Sequence, residues 1–279
     1  MIGLSTSTYH ADPKISRKQR AEADANIRGK IEQIRLDFPS TGYRTLLAYL
    51  KRNGIKIGET KLRRIIDEFD LNLRPKKKFV VTTDSNHEFE VYKNLLPEMT
   101  IDGINQVWVA DITYVRILTG FVYLAVILDV YSRKVVGHAI SKRIDGKLAL
   151  NALEMALQRR KPAGGVIHHS DRGVQYLCKE YVDVLKVNKF HISCSRRGNP
   201  YDNAFAESFM KTLKYDEVYM WNYETYLDVI ERIPYFIEEV YNKKRVHSGL
   251  NYDTPEEFEK RFEVEYEGEN RVGRPTLTL

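Results

Sequence analysis

Three consecutive strand-like runs constrain this chain more than any other feature: QVWVADITYVRI (106–117), FVYLAVILDVYS (121–132) and RKVVGHAIS (133–141). Each is rich in Val, Ile, Tyr and Phe, and the turn residues Thr119-Gly120 and Ser132-Arg133 divide them, so an antiparallel meander is expected. The pattern then changes to alternation. A helix is predicted over 146–159, a strand in GVIHHS, a helix around 176–188, a strand in FHISCS and a helix from about 201 to 215. A meander followed by alternating helix and strand makes an α/β domain. A long amphipathic helix over 223–243, apolar at Leu227, Ile230, Ile237 and Val240, is expected to cover one face, with a kink at Pro234.

Upstream the texture is helical. Ile27, Ile31 and Ile34 recur at helical spacing between Ala25 and Phe38, and Leu46, Leu47 and Leu50 mark a second helix that Asn53-Gly54 should end. A third helix, 59–69, places Leu62, Ile65, Ile66 and Phe69 inward and Lys61, Arg63 and Arg64 outward. Helix, short turn and basic helix point to a helix-turn-helix unit, whose second helix enters a major groove; a plain helical hairpin is the alternative. RPKKK (74–78) cannot continue a helix through Pro75, and Lys76, Lys77 and Lys78 suit a linker lying along phosphates. The expected divisions are therefore a helical module over 1–74, a basic linker and connecting segment over 75–103 with a short helix in EFEVYKNLL left open, a catalytic core over 104–262, and an acidic tail over 263–279.

The net charge of +6 conceals an asymmetry, because residues 1–78 hold 18 Lys and Arg against 9 Asp and Glu, whereas residues 255–270 hold 2 against 7. The basic end should meet a polyanion. The longest apolar run, 121–128, is far short of the ~20 residues a membrane helix needs. No basic segment followed by an apolar stretch opens the chain, so a cytoplasmic, nucleoid-associated location is expected. Cys178 and Cys194 form no CxxC pair, which excludes a zinc knuckle or a disulfide framework and predicts two buried thiols.

The chemistry rests on carboxylates. Asp111 interrupts an apolar strand on the face of Val109 and Thr113; buried and unpaired it would cost several kcal/mol, so a salt bridge, a wet sheet edge or a cation must account for it. Asp171 follows the strand GVIHHS at its carboxyl end, where open α/β sheets place ligand sites. Glu207 lies on a helix packed through Ala204, Phe205, Phe209 and Met210. Three carboxylates from three elements fit a metal site. Oxygen ligands select hard ions such as Mg²⁺ or Mn²⁺, and a pair of ions ~3.5–4 Å apart, sharing Asp111, would serve phosphoryl transfer. Around them His168 and His169 could position water or phosphate, His169 the better placed, although a packed or capping histidine is the more frequent outcome. Arg196, Arg197, Tyr201 and Asn203 could meet DNA, although Asp202 and Asn203 are also capping types. Lys211 and Lys214 follow on the Glu207 helix, and a spacing of seven returns Lys214 to the carboxylate's face.

The segments WVADITYV, YLAVILDVYSRKVVGHAIS, HSDRGVQY and NPYDNAFAESFMKTLK together resemble insertion-sequence transposases of the OrfB type and, more distantly, retroviral integrases. Between Asp171 and Glu207 stand 35 residues, the interval of the DD35E signature, and Lys214 stands where the family has Lys or Arg. The resemblance covers about residues 40 to 262. It implies a ribonuclease-H-like fold, a mixed five-stranded sheet flanked by helices, that cleaves element ends at a 3′ position and joins the exposed hydroxyl to another phosphate of double-stranded DNA. It further implies Mg²⁺ as cofactor, a homo-oligomer binding paired ends, and an upstream OrfA portion that contributes end recognition. The opening GLSTSTYH resembles a stretch that usually follows another helix, so a late start is expected. The chain departs from retroviral integrases in lacking a His/His/Cys/Cys cluster. Two other functions remain open from the residues alone: a non-catalytic DNA-binding modulator, and a nuclease that cuts without joining.

Overall fold

The computed structural model describes residues 16–72, 91–196 and 199–271, and the chain divides into two units, Met1–Pro75 and Lys76–Leu279. In the first, a capping box sets the start of helix α1 (Arg17–Asp37): the Ser16 side chain accepts from the Gln19 N–H while the Gln19 side chain accepts from the Ser16 N–H. This reciprocal cap begins the helix eight residues before the Ala25 start that apolar spacing predicts, through turns that carry no apolar stripe. Helix α2 (Tyr43–Arg52) stops at Asn53, and Gly54 takes a φ of 77°, the left-handed turn that favours glycine. Helix α3 is Glu59–Glu68. Ten-residue helices are marginal alone. What holds them is a shared core in which Ile31, Leu46, Leu50, Leu62 and Ile65 are fully buried, each side chain contributing about 1.5–3 kcal/mol.

In the second unit the meander forms as expected: β1 (Val107–Ile117), β2 (Gly120–Asp129) and β3 (Val135–Ser141) pair antiparallel. Two short strands, β4 (Ile167–Ser170) and β5 (His191–Cys194), then join in parallel, giving the order β3-β2-β1-β4-β5. A three-stranded meander with two parallel additions on the side of its first strand is the ribonuclease-H-like arrangement. The junction matters for the site. Strand β4 pairs with β1 only from Val107 to Val109, so from Ala110 onward that edge of β1 has no strand beside it.

Helix α4 (Gly146–Arg160), capped by the Asp145 side chain on the Leu148 N–H, packs across β2 and β3. The approach is close enough that a Cβ at Gly137 would stand 2.2 Å from the Ala152 carbonyl oxygen. Its apolar side joins Trp108, Ala110, Ile127 and Tyr181 in the core. The single helix predicted around 176–188 is instead two, α5 (Val174–Leu177) and α6 (Lys179–Val187), because Cys178 between them is extended. Helix α7 (Ala204–Leu213) follows a 3₁₀ turn at Pro200–Asn203 and widens into a π-helical turn over Lys214–Val218.

Two expectations need correction, and one open reading is decided. The predicted 223–243 helix starts at Tyr226, where Thr225 and Asp228 form a capping box, and its buried stripe is Val229, Ile233, Phe236 and Ile237, while Leu227 is 62% exposed. After Pro234, which has no N–H for the α-helical ladder, the winding of this helix α8 (Tyr226–Tyr235) passes to π over Phe236–Tyr241. Residues 91–95 of EFEVYKNLL are irregular, because the Leu95 N–H is drawn to Ser193 Oγ at 3.0 Å, and only a 3₁₀ turn, Leu96–Glu98, follows. Finally, the boundary expected at residue 262 falls inside a helix, α9 (Pro255–Arg271). Its Glu259 is buried between Lys134, at 2.9 Å, and Arg160, which fastens this acidic segment to the core. No described helix is long and apolar enough to cross a membrane.

Candidate active site

Asp111 sits on β1 opposite Val126, beside the edge that β4 leaves open. Its Oδ1 accepts the Ile112 N–H at 2.9 Å. Asp171 emerges directly from β4, and its Oδ1 accepts the Gly173 N–H at 2.9 Å. The turn is tight: a Cβ at Gly173 would stand 2.9 Å from both Asp171 Oδ1 and Gln175 Oε1, so these side-chain ends would have to shift to admit one. Glu207 projects from the first turn of α7 and stays exposed. The Asn203 side chain, just before that helix, donates to the Ala110 carbonyl at 3.1 Å. This bond ties the start of the Glu207 helix to the residue preceding Asp111.

The three carboxylates feel one another. Asp111 is half-buried by surface yet densely surrounded, and its carboxyl is pushed up to about 7, first by burial, then by the charge of Asp171, and to a lesser degree by Glu207; the Ile112 N–H and Lys214 oppose the shift. Burial also raises Glu207. Among the described residues no three His, Cys, Asp or Glu side chains are drawn together at metal-ligand spacing. Repulsion among like charges opposes such closing in the absence of a cation. The donor set, carboxylate oxygens on a centre short of positive charge, nonetheless suits a hard divalent ion.

Lys214, at the first residue of the π-helical turn, stands 4.7 Å from the centre of the Tyr114 ring and within electrostatic reach of Asp111. Burial lowers its pKa and Asp111 opposes that lowering. Asp171, Glu207 and Lys214 thus all lie within electrostatic reach of Asp111. Lys211 is exposed on α7.

Other predicted site residues are occupied elsewhere. Asn203 is only 7% exposed, so it braces the site rather than offering itself to DNA. Arg196 is bound to Asp202 by its backbone N–H at 2.8 Å and by its guanidinium at 3.0 and 2.9 Å. Tyr201 lies in the 3₁₀ turn before α7. Arg197, with Lys76, Lys77 and Lys78, lies outside the described residues. His169 is fully buried, its two ring nitrogens lying 2.8 and 3.0 Å from the hydroxyls of Ser193 and Ser195. Burial holds its pKa down at about 4, so it is a packed neutral ring, the bland one of the two readings its sequence position allowed. His168 is likewise buried, 2.8 Å from the Tyr181 hydroxyl and held at about 3. Cys194 is buried as predicted, whereas Cys178 is half-buried; both are free thiols.

In the first unit the three basic residues of α3 are exposed but paired. Lys61 and Arg64 reach Asp24 at 2.9 and 2.5 Å, and Arg64 also reaches Glu68 at 2.7 Å. Arg63 pairs with Glu59 at 2.8 Å and lies 4.1 Å from the centre of the Tyr43 ring. Sequence reasoning missed three residues around the carboxylates: Tyr114, the bracing role of Asn203, and Tyr176. Only Tyr176 carried a signal, its position in the same turn motif as Asp171, HSDRGVQY.

Two models of the integrase core domain match the chain, one over residues 102–200 and the other over 188–255. The insertion element IS600 uncharacterized 31 kDa protein of Shigella sonnei is 37% identical over 264 residues, covering 94% of this chain and 97% of that protein. The transposase InsF for insertion sequence IS3A of Escherichia coli (strain K12) is 38% identical over 192 residues, covering 68% of this chain and 67% of that protein. The catalytic core domain of BIV integrase aligns with a TM-score of 0.43 at 19% identity, over 58% of this chain and 99% of that domain. With the carboxylates placed at the open edge of β1 and relatives this similar across most of its length, the chain belongs to the insertion-sequence transposases built on an integrase catalytic core.

Proposed function

We propose that Asp111, Asp171 and Glu207 are the reaction centre of a DDE-type polynucleotidyl transferase, which cleaves the 3′ ends of an insertion sequence and joins them to target DNA. The observation that carries the reading is that Asp171 and Glu207 lie within electrostatic reach of Asp111, an acid on the central strand whose carboxyl is pushed up to about 7 by burial and by these two neighbours. Such a cluster is poised to take up positive charge. Asp111, Asp171 and Glu207 would hold Mg²⁺ or Mn²⁺, two ions in this reading. Bound there, the ions supply an activated water or 3′-hydroxyl and neutralise charge on the leaving oxygen.

The chain's own residues do the rest. Asp111 is oriented by the Ile112 N–H and Asp171 by the Gly173 N–H, so the carboxylates meet substrate in fixed directions. Asn203 keeps the Glu207 helix in register with Asp111. Lys214 supplies a cation for a phosphate of the strand being cut, its ammonium lying over the Tyr114 ring. No covalent protein intermediate is needed. Double-stranded DNA is the partner, taken as paired element ends by a multimer, and an OrfA portion would add end recognition.

The test incubates labelled element-end DNA and Mg²⁺ with wild type and with Asp111→Asn, Asp171→Asn and Glu207→Gln. Cleaved and joined products are expected from wild type alone. Activity surviving in all three variants would falsify the site assignment, and cleavage without joining, with OrfA supplied, would replace transposition by a nuclease.

A further inference from the structure

Tyr176 is 4% exposed, yet its hydroxyl, fully shielded from solvent, meets no hydrogen-bond partner among the described residues. A buried hydroxyl without a partner is costly and calls for an explanation. Its surroundings fix where it points. The ring is held between His168, with centroids 6.3 Å apart, and Tyr181, at 5.6 Å. Tyr181 is itself anchored by its hydroxyl on His168 at 2.8 Å. The Tyr176 N–H donates to the Gly173 carbonyl at 3.0 Å, which makes Tyr176 part of the turn that carries Asp171. At the Cβ position that Gly173 leaves vacant, the Tyr176 ring edge is 3.7 Å away and Asp171 Oδ1 2.9 Å away. The phenol lies within electrostatic reach of both Asp111 and Asp171, with Asp111 the stronger influence.

We propose that Tyr176 is a positioning residue whose hydroxyl donates to the Asp111 carboxylate when that carboxylate is turned to hold a divalent cation. The inference rests on the metal-centre reading above. Burial raises the phenol's pKa well above 10, so it is a donor and never a competing anion. Asp111 Oδ1 already takes the Ile112 N–H. A donor fixed by an aromatic clamp would hold the remaining oxygen in place, as groups behind metal ligands do. The buried hydroxyl is then a prepared donor for the loaded site.

The experiment uses the full chain and Mn²⁺ as the probe. Mn²⁺ affinity is measured by calorimetry, and thermal melting is followed in EDTA, for wild type, Tyr176→Phe and Tyr176→Leu. Tyr176→Phe keeps the ring and removes only the hydroxyl, so Mn²⁺ binding should weaken about tenfold, while the EDTA melting temperature stays level or rises. Saturating Mn²⁺ should restore most of its strand transfer. Tyr176→Leu, which dismantles the clamp, should melt lower. Unchanged Mn²⁺ affinity in Tyr176→Phe overturns the proposal, as does a melting temperature that falls as it does for Tyr176→Leu, since the residue would then be packing alone. Failure of wild type to bind Mn²⁺ would sink the metal-centre reading itself, a result distinct from equal binding by wild type and variant.

Discussion

The Lys214 ammonium lies 4.7 Å from the centre of the Tyr114 ring, three residues along β1 from Asp111. A lysine usually points its charge wherever water takes it; here the ammonium lies over the ring and Asp111 attracts it. Lys214→Ala should lower strand transfer about 30-fold, the equivalent of one charged hydrogen bond of ~2 kcal/mol. Tyr114→Phe keeps the ring and should act like wild type, whereas Tyr114→Ala should lose only a few-fold, matching a cation–π contact of ~0.5–1 kcal/mol. Single-turnover assays at saturating DNA read both. An equal loss in Tyr114→Phe and Tyr114→Ala would show that the ring face does not matter.

Asp111 links the site to stability. Its folded pKa is raised from 3.8 to about 7, so the folded chain binds more protons than the unfolded chain between those values. The contribution of Asp111 is therefore most favourable at acid pH and is lost as pH rises through about 4 to 7, by on the order of 2–4 kcal/mol. Asp111→Asn carries no such loss. In EDTA, its melting temperature should exceed that of wild type by a margin that widens from pH 4.5 to pH 7.5, and Mg²⁺ should narrow the margin by stabilising wild type alone. A constant margin across that range would remove the electrostatic account. His169 and His168 titrate in the opposite sense, since their lowered values favour the folded state above pH 6.5 and withdraw that support on acidification. The comparison of variant with wild type cancels them.

The meander and the alternation after it were readable because strand β-propensity and turn residues are local signals, and β1, β2 and β3 fall where those signals lie. Asp111 drew attention because an acid in an apolar strand needs a reason. Less local facts were hidden. The exposure of Leu227 depends on where Thr225 caps its helix, and the break at Cys178 on backbone conformation that no spacing records. A packed His169 was open in the sequence, but its partners, Ser193 on β5 and Ser195 just beyond it, were not. Asn203 presented itself as a cap, while its amide bonds a carbonyl 93 residues away.

Gly137 offers a test of how α4 seats on the sheet. A Cβ there would meet the Ala152 carbonyl at 2.2 Å, the Ala156 side chain at 2.8 Å and the Ala156 nitrogen at 3.0 Å, two of them helix backbone atoms that cannot rotate aside. Gly137→Ala should therefore push the helix outward and cost about 1–3 kcal/mol or more, seen as a lower urea midpoint at unchanged slope. Gly29, with nothing within 4 Å of its Cβ position, serves as the control, and Gly29→Ala in α1 should be neutral to stabilising. Equal stability of Gly137→Ala and wild type would mean that α4 stands farther from β3 than described.

The first unit carries its own prediction. Asp24, 8% exposed on α1, neutralises Lys61 and Arg64 of α3, which would otherwise both face an anion. If α3 is the helix that meets DNA, its basic face is partly held in reserve by this one carboxylate. Asp24→Asn should then raise affinity for duplex DNA and steepen its salt dependence, since two cations are released to phosphates and each phosphate contact adds a slope of about 0.9. Arg64→Ala should do the reverse and flatten the slope by about one contact. Because the exchange also removes two ion pairs that join α1 to α3, Asp24→Asn should melt lower, so affinity must be compared below the transition. Anisotropy titrations across a range of salt read the slope directly. An Asp24→Asn slope equal to wild type would place α3 away from the DNA and leave its basic residues as a solvated, internally paired surface.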